Sequence, residues 1–357
     1  MTPRDIARRR LVQQRIAGAK FKTPNDVVAS LGAVQAQNFL GALWGIGLRM
    51  ADATEPQVEQ AIADRTIVRT WPMRGTLHFV AAPDVHWMLE LLTPRVIAGA
   101  KGRMRQFGID DAAISRSREL LVGALQGGKK LSRTGIYKML DSAGVSTSGQ
   151  RGLHILWRLA HDGLLCLGPR IGKQQTFVLL DEWVPRGKRL RREAALSELA
   201  LRYFVGHGPA TLQDFAWWSG LTISDARVGL EAVSTQLSNH MADGKAYWTS
   251  PKIPESRGAS EGYLLPPFDE FLVGYADRTA ALDPSNKVEP PAPSMVLGPA
   301  VVVDGRLKGA WTRTGTKNKV SVAVAPFSPL RDAELRALSV PAQKYGRFLG
   351  VPSELKI

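Results

Sequence analysis

Two glutamines one residue apart, Gln35 and Gln37, followed by Asn38 and Phe39, carry the chain's most unusual arrangement of chemical groups. Each amide offers one acceptor oxygen and two donor hydrogens, so the three together can hold a water or hydrogen-bond a base edge beside the aromatic rings of Phe39 and Trp44. The same amides equally suit a polar turn in which they satisfy backbone groups. An amide has neither useful basicity nor charge, which restricts any chemistry here to positioning and dipolar stabilisation. The rest of the sequence offers no stronger catalytic signature. There is no P-loop, no G-x-G-x-x-G after a strand, no H-E-x-x-H and no G-x-S-x-G. His78, His86, His154, His161, His207 and His240 stand singly and form no metal pair, so no metal and no cofactor is expected. The one cysteine, Cys166, excludes an intramolecular disulfide and a cysteine zinc cage, and points to a reducing compartment.

The elements that must position these amides recur along the chain. From residue 117, apolar residues at helical spacing lead to Ser132, which caps a second helix ended by Gly144. A third helix over about 149–162 is expected to turn Leu153, Leu156, Trp157 and Leu159 inward, with Arg151, His154, Arg158 and His161 elsewhere. Two apolar runs then flank the basic tip Pro169-Arg170-Ile171-Gly172-Lys173, completing a helix-turn-helix plus β-hairpin, the winged-helix layout. The pattern returns with a helix over 191–206, caps at Thr211 and Thr222 and a strand at Lys245–Thr249. A more diverged version opens the chain: a helix over 3–17, a Thr23-Pro24-Asn25-Asp26 cap, helices near 38–50 and 55–64, and a hairpin around Pro72-Met73-Arg74. Beyond Pro251, Pro, Gly and β-branched residues predict strands at Tyr263–Phe268, Ser294–Val303, Leu307–Thr312 and Val320–Val324, an exposed loop over 281–293 and a final helix near 329–349. The expected fold is α+β: three tandem winged-helix units over 1–110, 111–186 and 187–250, then a small antiparallel β-sheet or barrel over 251–357.

Charge indicates the partner. Lys and Arg number 47 against 32 Asp and Glu, a formal net charge of +15, and a polyanion is the leading reading over a merely solvated basic surface. The excess is concentrated over residues 4–22, 95–105, 186–192 and 306–319. Candidate phosphate contacts are Arg151, Arg158, Arg170 and Lys173 of the second unit, and Arg306, Lys308, Arg313, Lys317 and Lys319 of the carboxy-terminal hairpins. For the latter hairpins an ordinary solvated turn stands beside the DNA-engaging reading. No apolar stretch reaches membrane-spanning length and no export signal follows the basic amino terminus.

Four segments in this order resemble the tandem winged-helix alkylation DNA glycosylases of the AlkZ and YcaQ (AlkX) type. They are Leu31-Gly32-Ala33-Val34-Gln35-Ala36-Gln37; Val68 through His78; Leu264 through Glu270 with Tyr275 and Arg278; and Val303-Asp304-Gly305-Arg306 with Gly309 and Trp311. The family's Gln-x-Gln motif falls on Gln35 and Gln37, which makes the sequence AlkZ-like. The resemblance implies a monofunctional, cofactor-free, monomeric hydrolase that excises cationic N7-alkylguanine from double-stranded DNA, bulky adducts or interstrand crosslinks included, in DNA repair or self-resistance. It also implies a cytoplasmic, nucleoid-associated protein. Such a substrate explains the amides: an N7-alkylated guanine already carries positive charge and departs without protonation, so only a water and the sugar cation need holding. Around them, Arg74 and His78 are candidates to line the site or contact phosphate, with inward packing the other reading for His78. Asp269 either assists electrostatically or serves as a turn cap paired with Arg278. Of Trp217 and Trp218, one is expected in the core and one at a groove or domain contact. The rival class is a winged-helix transcription regulator without chemistry, which would need a dimer and half-sites, and no heptad or dimerisation helix is visible. An RNA-associated factor is disfavoured because the stacking platforms of common RNA modules are absent.

Overall fold

Helices begin where the sequence supplies a side-chain oxygen for the first free backbone N–H groups. Thr2 and Asp5 close a reciprocal capping box at Pro3–Gln13, and Thr211 and Asp214 close another at Leu212–Ser219. Thr23, Asp110, Ser132 and Thr222 each accept from the third backbone N–H of the helix that follows. The computed structural model describes residues 1–187, 189–252, 261–282, 297–316 and 318–357. The loop expected over 281–293 lies largely outside them, as do Lys188, Lys317 and the start of the strand expected at Ser294. The fold is α+β, and the chain divides into two compact units, Gln60–Ala195 on one hand and Met1–Glu59 with Leu196–Ile357 on the other. That division is coarser than the four consecutive segments expected, and one unit is assembled from both ends of the chain.

In the unit Gln60–Ala195, antiparallel strands run in the order Thr76–Ala81, Ile67–Met73, Leu165–Ile171, Gln174–Leu179 and Leu131–Ser132. The first hairpin turns at Arg74-Gly75, both at positive φ (54° and 73°), slightly beyond the Pro72-Met73-Arg74 tip expected. Helix Val85–Gln106, an element not expected from the sequence and one that contains Pro94, packs on Ile67–Met73. Helices Asp111–Leu125, Arg133–Ser142 and Arg151–His161 enclose a core with Leu121, Ile136, Leu140, Ile155, Leu156 and Leu159 at its centre. The face of Arg151–His161 differs from expectation. Ile155 and Ala160 point inward, leaving Leu153 exposed at 40% while His161 is buried at 2%.

The other unit holds a five-stranded sheet in the order Ser353–Lys356, Val320–Pro326, Arg306–Gly315, Ala300–Val303, Gly262–Leu265, antiparallel except for the first pair. Asp304-Gly305, at φ 53° and 78°, makes the two-residue turn its residue types demand. Arg4 and Arg8 of the first helix both donate to the Asp304 carboxylate. The expected final helix is two, Asp332–Arg336 and Ser339–Leu349. Ser238–Ala242 and Lys245–Thr249 form a separate hairpin after the helices Leu212–Ser219 and Ile223–Val233.

The glycine-rich helix Phe39–Leu48 is packed closely at two of its glycines, on different sides. A Cβ on Gly41 would lie 3.0 Å from Pro267, and one on Gly47 only 2.5 Å from the Phe348 ring. Between them Trp44 packs edge-on to Tyr345 and donates its indole N–H to the Leu264 carbonyl at 2.7 Å.

Candidate active site

Gln35 ends the short strand Val34–Gln35, and Asn38 begins the helix Phe39–Leu48 two residues after Ala36. Gln35 is 8% exposed, whereas Gln37 and Asn38 are exposed. Asn38 has a local duty: its Oδ1 accepts the Gly41 N–H at 2.8 Å and caps the helix.

Beneath this segment lies a buried carboxylate. Glu270, fully buried, accepts the Gln35 backbone N–H on Oε1 at 2.8 Å. Its Oε2 accepts the Trp218 indole N–H at 3.0 Å and stands 3.2 Å from His207 Nε2. Trp218 and His207 are themselves fully buried, among the rings of Tyr203, Phe215 and Tyr275. Burial raises the Tyr203 and Tyr275 phenols well above their ordinary range, so both remain neutral donors. The preceding residue holds the other end of the same helix. Asp269 accepts two parallel bonds from Arg49, at 2.8 and 2.9 Å, and caps its own short helix through the Phe271 N–H at 2.9 Å. Arg49 also donates to Gln14 Oε1 and to the Gly45 carbonyl. The cap expected of Asp269 is therefore present, but its cationic partner is Arg49. Arg278 instead donates to the Leu272 carbonyl and lies over the exposed ring of Trp217.

Asp269-Glu270 thus brackets Gln35 through Arg49 at both ends. Glu270, His207 and Arg49 were given no role by sequence reasoning, and Trp218 only a place in the core or at a groove; it is the buried one of the Trp217-Trp218 pair. Only the adjacency of Glu270 to Pro266-Pro267-Phe268-Asp269 marked it, and a backbone N–H as partner leaves no trace in residue types.

Arg74 and His78 belong to the other unit. His78 is fully buried, with Nδ1 2.9 Å from the Thr76 carbonyl and Nε2 3.4 Å from Arg74 Nη2, which matches the inward-packing reading. Among the described residues no three His, Cys, Asp or Glu side chains group as a metal would require.

The candidate phosphate contacts separate by what already holds them. Arg151 donates to the carbonyls of Phe107, Gly108 and Ser146, and Arg158 pairs with Asp162 at 2.9 Å. Arg306 donates to the Ala280 and Leu282 carbonyls, and Lys308 meets the buried Glu334 at 3.0 Å. Lys319 pairs with Glu354 at 2.7 Å, but both are solvent-accessible, so water and salt screen the pair and Lys319 is readily released. Lys173 and Arg313 are exposed, the latter donating to the Tyr345 hydroxyl; Arg170 is half-buried, and Lys317 lies outside the described residues. The amino-terminal basic run is similarly committed. Arg10 is buried under Tyr275, and Lys20 donates to the carbonyls of Arg15, Ile16 and Leu48, with its pKa lowered to about 7 by burial.

The chain is 26% identical over 345 residues to an interstrand DNA cross-link repair glycosylase of Streptomyces sahachiroi, covering 92% of this chain and 91% of that one. The solved structure of the Streptomyces sahachiroi DNA glycosylase AlkZ matches 99% of both chains with a TM-score of 0.77 at 24% identity, a likeness of fold. The family described as DNA glycosylase AlkZ-like matches residues 28–348, a span that includes Gln35, Gln37 and the Asp269-Glu270 bracket. The chain belongs to the AlkZ-like family of DNA glycosylases.

Proposed function

We propose that this protein hydrolyses the N-glycosidic bond of cationic N7-alkylguanine in double-stranded DNA, with Gln37 holding the attacking water and Gln35 supporting it and the sugar cation. The observation that carries the reading is the contrast within one segment: Gln35 is fixed by its backbone to a buried carboxylate, while Gln37, two residues on, is exposed. An exposed amide can reach a water, and an anchored backbone keeps it from wandering. Because amides neither donate a proton to a leaving base nor carry charge, undamaged purines, which are poor leaving groups, are spared. The name of the Streptomyces relative, an interstrand DNA cross-link repair glycosylase, supports counting interstrand crosslinks among the substrates.

In this reading the three sets of helices followed by a hairpin are winged-helix modules that engage the duplex, and the protein acts as a monomer in the compartment that holds the chromosome. Phosphate contact falls to the cations that can be released at little cost: Lys173, Arg313, Lys319 and, by sequence, Lys317. Those held by buried carboxylates or carbonyls belong to the scaffold.

Release of N7-methylguanine from methylated duplex tests the reading. Gln37→Ala should slow single-turnover excision by the ~10²–10³-fold typical of one preorganised electrostatic group, with duplex affinity unchanged. Wild-type rates in the Gln35→Ala/Gln37→Ala double variant would refute it.

A further inference from the structure

Arg69 occupies a position where a strand in the middle of a sheet normally carries an apolar residue. It is the register partner of Leu167, the pair that joins the two hairpins of the unit Gln60–Ala195, and it is only 5% exposed. Burial costs a guanidinium its hydration and lowers its pKa to about 10, yet it stays charged at neutral pH. Gln175 Oε1 accepts from its Nη1 at 2.9 Å and fixes its direction.

The side chain lines a cavity of about 430 Å³, within the range of small-ligand sites. Arg133 and Lys173, both exposed, line it too, and Trp71 and Phe177 supply apolar wall. No carboxylate is among its described lining residues. The start of the helix Arg133–Ser142 adds positive potential of the same sign. Three cations around an aromatic-walled cavity match a ligand that is planar at one end and anionic at the other.

We propose that this cavity binds one nucleotide unit. The base lies against Trp71 and Phe177, Arg69 donates to its acceptor edge, and the phosphate meets Arg133 and Lys173 at the rim. Guanine, with two adjacent acceptors on one edge, is the base an arginine reads best. Neither Gln35 nor Gln37 lines this cavity, and its occupancy does not depend on their role.

Calorimetry on the full chain, with dGMP, inorganic phosphate and an undamaged single-stranded 12-mer as probes, tests this. Saturable dGMP binding is expected, with phosphate at least about tenfold weaker because it lacks the base contacts. Arg133→Ala/Lys173→Ala should weaken dGMP by about tenfold or more, the loss of charge-assisted hydrogen bonds. Arg116→Ala/Lys138→Ala, which removes equal charge from elsewhere in the same unit, should leave it unchanged. Arg69→Met should weaken dGMP while sparing phosphate, and the surface pair keeps the test decisive if that buried change unfolds the protein. Competition of dGMP with the 12-mer, with both weakened by Arg133→Ala/Lys173→Ala, identifies the occupant as a DNA strand. A 12-mer indifferent to dGMP and to those substitutions identifies it as a free nucleotide. Absent dGMP binding, phosphate binding as tight as dGMP, or an equal loss in the remote pair would overturn the proposal.

Discussion

Replacing Glu270 separates the frame of the glutamine segment from its chemistry. In Glu270→Ala the Gln35 N–H and the Trp218 indole N–H lose their acceptor inside a region where Glu270, His207 and Trp218 are fully buried. A buried donor left unmade costs about 1–3 kcal/mol, so two cost roughly 2–6 kcal/mol. A water entering the vacated space would find both donors and His207 Nε2, and would bring the loss toward the lower end. Glu270→Gln keeps one amide oxygen and sets an NH₂ against either the Gln35 N–H or the Trp218 N–H, an expected loss of about 1–3 kcal/mol. At a urea slope of about 2–3 kcal/mol/M, the alanine variant should lose ~0.7–3 M in its midpoint, with glutamine between it and wild type. Single-turnover excision of N7-methylguanine, measured at a temperature where each variant is folded, should fall in the same order. An alanine variant with the wild-type midpoint would show that Glu270 is not the acceptor these donors depend on. A destabilised variant that excises at the wild-type rate would show that the carboxylate does not govern Gln35.

Other consequences follow from burial and charge. His161 donates from Nδ1 to the Trp157 carbonyl at 2.8 Å while its buried Nε2 has no hydrogen-bond partner among the described residues, and burial lowers its pKa to about 4. A base whose folded pKa is depressed favours the folded state fully above its unfolded value of about 6.5, and that contribution is lost as pH falls toward 4. His161→Leu should therefore flatten the fall of the urea midpoint between pH 7 and 4, and an unchanged slope would remove His161 as its source. Glu334 is held near pKa 2 by Arg331 and Lys308, so its stabilisation is present above about pH 4.5 and disappears as pH falls to 2. Glu334→Gln should accordingly destabilise at pH 6 and much less at pH 2.5. Gly47→Ala would place a Cβ 2.5 Å from the Phe348 ring, and should cost about 1–3 kcal/mol of overpacking, recovered in part by Phe348→Leu. Arg313→Ala/Lys319→Ala should reduce the salt slope of duplex binding by up to about 0.9 for each phosphate that is no longer neutralised, with the melting temperature unmoved; an unaltered slope would assign both residues to the scaffold.

What the sequence disclosed was local. Thr23, Ser132, Thr211 and Thr222 announced their helices because a cap is made within three residues, and Asp304-Gly305 announced its hairpin because few residues accept two successive positive φ values. What it hid depends on distance along the chain. Arg4 and Arg8 meet Asp304 some three hundred residues away, and Arg49 meets Asp269 across more than two hundred, so neither the bipartite unit nor the commitment of its cations could be seen in a run of positive residues. The phase of Arg151–His161 failed for a related reason. Leu153 and His161 both fit an amphipathic reading of that helix, and only the packed core decides which of them is inside.

The site itself was half legible. The amide pair stands out by composition, because Gln-x-Gln beside Asn and Phe is poorly explained by either periodicity. Its support does not, because Glu270 holds Gln35 by the backbone, and that bond is indifferent to the side chain at 35. The indifference is useful: a carboxylate, an amide or a methyl group at position 35 leaves the Glu270 anchor in place, and proline alone removes it. Side-chain substitutions at 35 and 37 therefore report on chemistry, whereas substitutions at 269, 270 and 49 report on the frame. Activity lost in the first set with an unchanged urea midpoint, and lost in the second in proportion to that midpoint, is the pattern that an exposed amide on a buried electrostatic anchor requires.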